Sequence, residues 1–142
     1  MVDLRRVPGE GRLVDAHAVR RAVFVEGQGV SEAEEMDGRD DEATHVVAYE
    51  TGRPVGTGRL RIPEPGVAKP ERLAVLAPFR GRGIGRQIVR TLESVARERG
   101  CERARLHAQT TVESFYHELG YSRTSGVFEE AGIPHVEMQT EL

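Results

Sequence analysis

Apolar residues recur along this chain with two alternating periods, and the switches between them set an order of elements. Val2 to Val7 reads as a short strand stopped by Pro8-Gly9. From Leu13 to Val25, Leu13, Ala16, Val19, Val23 and Phe24 recur at helical spacing, so an amphipathic helix is expected. Ser31 to Glu42 carries Glu32, Glu34, Glu35, Asp37, Asp40, Asp41 and Glu42 and reads as an acidic loop. His45 to Tyr49 and Pro54 to Ile62 are strand-like and joined by Thr51-Gly52-Arg53. Gly56 and Gly58 in the second of these suggest a bulge or a close backbone approach. Pro63 to Pro70 reads as a loop, and Arg72 to Leu76 as a short, mostly apolar strand.

After Ala77-Pro78-Phe79 comes Arg80-Gly81-Arg82-Gly83-Ile84-Gly85. A helix follows it, with Ile84, Ile88, Val89, Leu92, Val95 and Ala96 on one side and Gly100 as the stop. In Arg103 to Gln109, Ala104, Leu106 and Ala108 alternate as in a half-buried strand. Val112 to Leu119 is a short helix ended by Gly120, and Tyr121 to Phe128 and His135 to Thr140 are two closing strands. The order β-α-β-β-β-α-β-α-β-β is α/β (α+β), with a mixed, largely antiparallel sheet.

Composition narrows the setting. The 142 residues suit one domain spanning 1–142, with 38% hydrophobic residues for a single core. No run reaches the length of a membrane-spanning helix, and Met1-Val2-Asp3-Leu4-Arg5 lacks the layout of a secretory signal. A cytoplasmic protein is therefore expected, with no membrane partner. The formal charge of −3 and the absence of a basic block argue against a nucleic-acid partner. Cys101 is the one cysteine, no Cys/His pairs have zinc-binding spacing, and no metal is expected. Cys101 lies past the far end of the long helix and reads as structural.

The strand, glycine turn and helix start together make an anion site, because the first helical N–H groups lack partners and the helix dipole favours negative charge. Arg80, Arg82 and Arg86 add charge-assisted contacts. A dinucleotide fingerprint begun at Gly81 would need glycine where Arg86 stands. A Walker A loop would need Gly-Lys-Ser/Thr, and the only lysine is Lys69, upstream.

The segment instead fits Arg/Gln-x-x-Gly-x-Gly/Ala and resembles the acetyl-CoA pyrophosphate loop of the GNAT superfamily of N-acyltransferases. Leu73-Ala74-Val75 resembles that family's splayed fourth strand. Ser114-Phe115-Tyr116-His117-Glu118-Leu119-Gly120-Tyr121 resembles its helix-to-strand signature. Val23-Phe24-Val25, Gln28, the acidic stretch to Asp41, His45 and Phe128-Glu129-Glu130-Ala131-Gly132-Ile133-Pro134-His135 resemble one subgroup of small microbial members. The resemblance implies a six- to seven-stranded sheet with flanking helices, and transfer of an acetyl group from acetyl-CoA to an amine by direct attack in a ternary complex.

It also implies roles. Arg80, Gly81, Arg82, Gly83, Ile84 and Gly85 would hold the pyrophosphate, with Arg86 close by. Leu73, Ala74 and Val75 would pair with the pantetheine arm, and an N–H near Val75 would polarise the thioester carbonyl. Gln109 stands where many members carry Asn and would touch the cofactor. Tyr116 would donate the proton that the thiolate needs, the alternative being an aromatic packing residue. Glu71 would be the base, on the same strand side as Leu73 and Val75, or else an exposed strand-end charge. His135, near the acceptor entrance, is the second candidate base, or a surface histidine. His107 reads as a satisfied core histidine rather than a base. Glu35, Asp37, Asp40 and Asp41 read as solvated surface rather than an amine-attracting rim. The acceptor would be a small-molecule or peptide amine, and a homodimer through the terminal strands is compatible with the family. The competing function is a non-catalytic acetyl-CoA- or CoA-binding regulatory protein.

Overall fold

The structure, a computed structural model, describes residues 2–142, so Met1 of the expected single domain lies outside the described residues. Eight strands form one sheet in the order β1-β2-β3-β4-β5-β8-β6, with β7 also on β8. They are β1 (Asp3–Pro8), β2 (Thr44–Glu50), β3 (Arg53–Glu64), β4 (Val67–Val75), β5 (Arg103–Gln109), β6 (Ser122–Arg123), β7 (Phe128–Glu130) and β8 (Ile133–Glu141). The helices are α1 (Val14–Arg20), α2 (Glu32–Glu35), α3 (Ile84–Glu98) and α4 (Glu113–Glu118). No helix among the described residues is long and apolar enough to cross a membrane.

Eight strands replace the expected six to seven because the segment read as one strand from Tyr121 to Phe128 is split. Only Ser122–Arg123 and Phe128–Glu130 pair, each along part of β8. The expected Pro63–Pro70 loop is instead a hairpin that turns at Gly66, with φ of +81°. Pro63 falls in a register irregularity between Arg61 and Glu64, where a missing N–H is tolerated. The Leu13–Val25 helix is present, but α1 widens at Arg21–Glu26 into a π-helical turn. The acidic stretch contains α2, where the Ser31 hydroxyl accepts from the Glu34 N–H at 3.2 Å, and a 3-10 turn at Asp40–Glu42.

Strand alternation sorts the core onto two faces. Val46, Ala48, Leu60, Val75, Ala104 and Leu106 face α3 and α4, whereas Val47, Thr57, Arg59 and Ala74 face α1. A Cβ on Gly58 would lie 2.7 Å from Ile88 and 2.9 Å from Leu92. Glycine at this position lets α3 press directly on β3, as the sequence suggested. Cys101 is buried in the same core, as its sequence position implied.

The departure from an antiparallel sheet creates the site. β4 and β5 run parallel and pair only through Val67↔Arg103 and Ala68↔Ala104. Beyond these pairs the strands part, and the wedge between them opens into a cavity of about 1100 Å³.

Candidate functional site

The glycine turn lies at one end of the wedge. Gly81 and Gly83 have φ of +78° and +80°, and a Cβ on either would meet nothing within 4 Å. Their left-handed backbone is thus open to an incoming group and is disfavoured for other residues. The first hydrogen bond of α3 runs from the Gln87 N–H to the Gly83 carbonyl at 3.1 Å. The amides of Ile84, Gly85 and Arg86 precede it and point to the start of the helix without an intrahelical acceptor. Arg80 donates through Nε to the Val75 carbonyl at 2.9 Å, which ties the turn to the end of β4. Arg82 lies 5.2 Å from the Phe79 ring centre and 3.3 Å from Glu50. Arg80, Gly81, Gly83, Ile84, Gly85 and Arg86 all line the cavity. These features fit a pyrophosphate.

Leu73, Ala74 and Val75 line the cavity along β4. Glu71 does not share their expected arrangement. Thr57 pairs with Ala74 and Arg59 with Glu71, so two steps along β3 oppose three along β4. The extra residue is a bulge at Arg72, whose φ is +54°. The bulge turns Glu71 to the α1 face, away from the side of Leu73 and Val75.

There Glu71 joins a buried ion network. It accepts from Arg59 and, at 2.7 Å, from Arg61, with Lys69 at 3.3 Å. Arg59 also donates to Asp37 at 2.8 Å and to Asp40 at 3.0 Å. Glu35 accepts from Arg20 at 2.8 Å and from Arg72 at 2.8 Å. Arg59 is 1% exposed and Glu35 3%, so Glu35, Asp37 and Asp40 belong to this network rather than to the expected solvated surface, whereas Asp41 is exposed as expected. Burial alone would raise the Glu71 carboxyl, but Arg61, Arg59 and Lys69 bring it down to about 2. Asp37 and Asp40 are likewise held well below the ordinary carboxylate range, against burial, by Arg59 and Arg20 respectively.

Glu71→Gln is expected to lower stability by about 3 kcal/mol, since removing one partner leaves buried cations uncompensated. That amounts to roughly 10 °C in Tm for a domain of this size. Because the folded value lies below the ordinary 4.5, the stabilisation is present above that pH and is lost as pH falls toward about 2. Urea unfolding of both proteins from pH 7 to pH 3 measures both effects. Equal midpoints at pH 7 would show that Glu71 does not hold the network.

The third wall lies on the same face of β5, β7 and β8. Gln109 pairs with His135 and His107 with Glu137, while Phe128 pairs with His135 and Glu130 with Ile133. Alternation therefore brings His107, Gln109, Glu130 and His135 together. His107 Nδ1 lies 2.9 Å from Glu130, and the His107 ring meets Phe128 edge-on at 5.0 Å. His107 is part-exposed in the cavity wall, so the core-histidine reading does not hold. His135 is buried rather than on the surface, and its Nδ1 lies 2.7 Å from the Ile133 carbonyl. Gln109 and Gln28 form a mutual amide pair, at 2.9 and 3.4 Å, in the cavity wall. The Gln109 amide is therefore already engaged across the wedge.

Tyr116 also lines the cavity. It is buried, packs edge-on to Phe115 at 5.0 Å and to Tyr121 at 5.8 Å, and its hydroxyl has no hydrogen-bond partner among the described residues. Burial pushes its phenol above the ordinary value of 10, so it stays protonated through neutral pH.

The sequence reading missed Glu130, the Gln28–Gln109 pair and the ion network. The network had a signal: Arg59 and Arg61 alternate on one side of a strand whose Gly56 and Gly58 suggest a close approach, and seven acidic residues lie upstream in Ser31–Glu42.

A family model, the acetyltransferase (GNAT) domain, matches residues 15–142. The chain is 41% identical over 133 residues to YjcF of Bacillus subtilis, described as an uncharacterized N-acetyltransferase, covering 93% of this chain and 94% of that one. The crystal structure of an acyl-CoA N-acyltransferase from Pseudomonas aeruginosa superposes with a TM-score of 0.83 at 25% identity, over 98% and 99% of the two chains. The structure of a GNAT family acetyltransferase from Elizabethkingia anophelis with acetyl-CoA bound shares the fold, with a TM-score of 0.77 at 14% identity over 99% and 98%.

Proposed function

The chain belongs to the GNAT acetyltransferase family, and on that footing we propose that it is an N-acetyltransferase moving an acetyl group from acetyl-CoA directly to an amine. The observation that carries this reading is the wedge between β4 and β5, which has an anion-binding turn at one end and Tyr116, His135 and Glu130 on its walls.

The amides that open α3 and the backbone at Gly81 and Gly83 would hold the pyrophosphate. The free edge of β4 at Leu73 to Val75 would pair with the pantetheine arm and bring the thioester to the middle of the wedge. The amine would arrive from the opposite face, under α1 and α2. The glycine turn lies on the α3 side of the sheet and the histidine wall on the α1 side, so the two substrates would meet between the strands.

Tyr116 would protonate the departing sulfur, since its hydroxyl is protonated and unengaged. Of the two candidate bases we assign His135. Glu71 is surrounded by cations and has little affinity for a proton, whereas His135 presents a ring nitrogen to the cavity. His135→Gln should lower kcat about 100-fold, the ordinary worth of a positioned base, with acetyl-CoA affinity unchanged. Turnover within twofold of the parent would remove His135 from this role.

Nothing in the geometry favours a purely regulatory binder, which would need neither the unengaged hydroxyl nor the imidazole. Incubation with acetyl-CoA and a panel of alkylamines, polyamines, amino acids and peptides, read by mass spectrometry for N-acetylated product, tests the proposal. Product from one class names the acceptor. No product from any class, with acetyl-CoA bound, would contradict it.

A further inference from the structure

Glu130 has no part in the steps above, yet it is a half-exposed carboxylate in the cavity wall, tied to His107. It stands at the end of β7, just before a two-residue turn to β8. Ala131 and Gly132 both have positive φ, +52° and +73°, as a tight hairpin turn of this kind requires. Alanine is strained in that region. The short turn sets Glu130 opposite Ile133 and on the face that carries His107 and His135.

One carboxylate oxygen lies 2.9 Å from His107 Nδ1, and the other lies 3.7 Å from His135 Nε2. The partner of His135 Nδ1 is a carbonyl, which only accepts, so Nδ1 carries the proton. With Nδ1 protonated, Nε2 is the ring's one acceptor in its neutral form, and it faces Glu130. A separation of 3.7 Å is too long for a hydrogen bond between them. Glu130 Oε2 and His135 Nε2 thus face one gap in the cavity wall, and neither has a hydrogen-bond partner among the described residues. A group with several N–H bonds and a positive charge completes that arrangement.

We infer that Glu130 and His135 together bind the acceptor as its ammonium ion, with Glu130 the ionic anchor and His135 the hydrogen-bond acceptor that then removes a proton. The inference rests on the N-acetyltransferase reading and names its acceptor class: a primary aliphatic amine, protonated on arrival. The ammonium donates one N–H to Glu130 and one to His135 Nε2. His135 takes that proton and frees the nitrogen lone pair. The nitrogen then forms the C–N bond at the thioester carbonyl carbon, the C–S bond breaks, and the sulfur leaves with the electron pair. The nitrogen sheds a second proton after attack. Of the two protons lost, one is balanced by the proton that Tyr116 gives the sulfur, and the other goes to solvent.

The neighbouring charges support an anionic Glu130. The His107 hydrogen bond, with the nearby Lys69 ammonium, holds its carboxyl below the ordinary range against burial. From β8, Glu137 lies 3.9 Å from His107 Nε2, so His107 is held between two carboxylates and keeps Glu130 in place.

Imidazole NMR of the ¹⁵N-labelled full chain with added propylammonium tests this without acetyl-CoA. The His135 and His107 ring signals should shift saturably with propylammonium and not with tetramethylammonium, which has no N–H to donate. Glu130→Gln should weaken the response at least tenfold, and Glu130→Asp should restore part of it. Glu129→Gln, whose side chain points to the other face, should respond as the parent does. Equal shifts from tetramethylammonium, or an unaltered response in Glu130→Gln, would overturn the inference. Because the readout is binding alone, its failure leaves acetyl transfer standing. Failed acetyl transfer would likewise leave an observed ammonium site intact.

Discussion

Gly83→Asp is expected to weaken acetyl-CoA binding by at least about 100-fold, or about 2.7 kcal/mol. Two effects act together. Gly83 starts α3 with φ of +80°, a conformation that costs a side-chain-bearing residue about 1 kcal/mol. The larger effect is charge. An aspartate there would place its own carboxylate among the unpartnered amides of Ile84, Gly85 and Arg86, and like charges brought together at a binding site cost several kcal/mol. A Cβ at this position meets no protein atom within 4 Å, so the loss would not come from a clash inside the fold. Gly83→Ala separates the two effects, since it carries the strain without the charge and should lose far less. Calorimetric titration reads all three proteins, and an aspartate variant with parental affinity would remove the turn from cofactor binding.

The second large effect is on chemistry. Tyr116→Phe should lower kcat by about 10²- to 10³-fold, the usual worth of a general acid, while acetyl-CoA affinity stays within twofold. The substitution is clean because the hydroxyl has no hydrogen-bond partner among the described residues, so its loss strands no buried group. The ring contacts with Phe115 and Tyr121, at 5.0 and 5.8 Å, remain available to phenylalanine. Thermal stability should accordingly change little. A variant that turned over at the parental rate would make Tyr116 a packing residue.

The parts of this molecule that were legible in the sequence are those written in local chemistry. The turn at Arg80–Gly85 announces itself because glycine spacing, the preceding strand and the following amphipathic helix all lie within a few residues of one another. The alternation of Ala104, Leu106 and Ala108 marks β5 for the same reason. Arg72 shows the opposite case. A bulge adds one residue without any mark in the local pattern, and that residue reverses which face Glu71 occupies. The usual period-two reading therefore placed Glu71 beside Leu73 and Val75, where the structure does not put it.

The buried network was hidden for a related reason. Arg59 is 22 positions from Asp37, Glu35 is 15 from Arg20 and 37 from Arg72, and charge runs are ordinarily solvated. Only the pairing of β2, β3 and β4 beneath α1 brings Arg20, Arg59 and Arg72 against Glu35, Asp37 and Asp40. The same holds for Glu130. Its partners come from β5 and β8, and only the register of three strands shows that they meet.

The most direct test of the account is the initial rate of thiol release from acetyl-CoA, measured with and without amine for the parent and Gly83→Asp side by side. The account predicts release that rises with amine concentration and saturates in the parent, and that falls to the uncatalysed rate in the variant. Release that no amine accelerates, or that is equal in the two proteins, would contradict it.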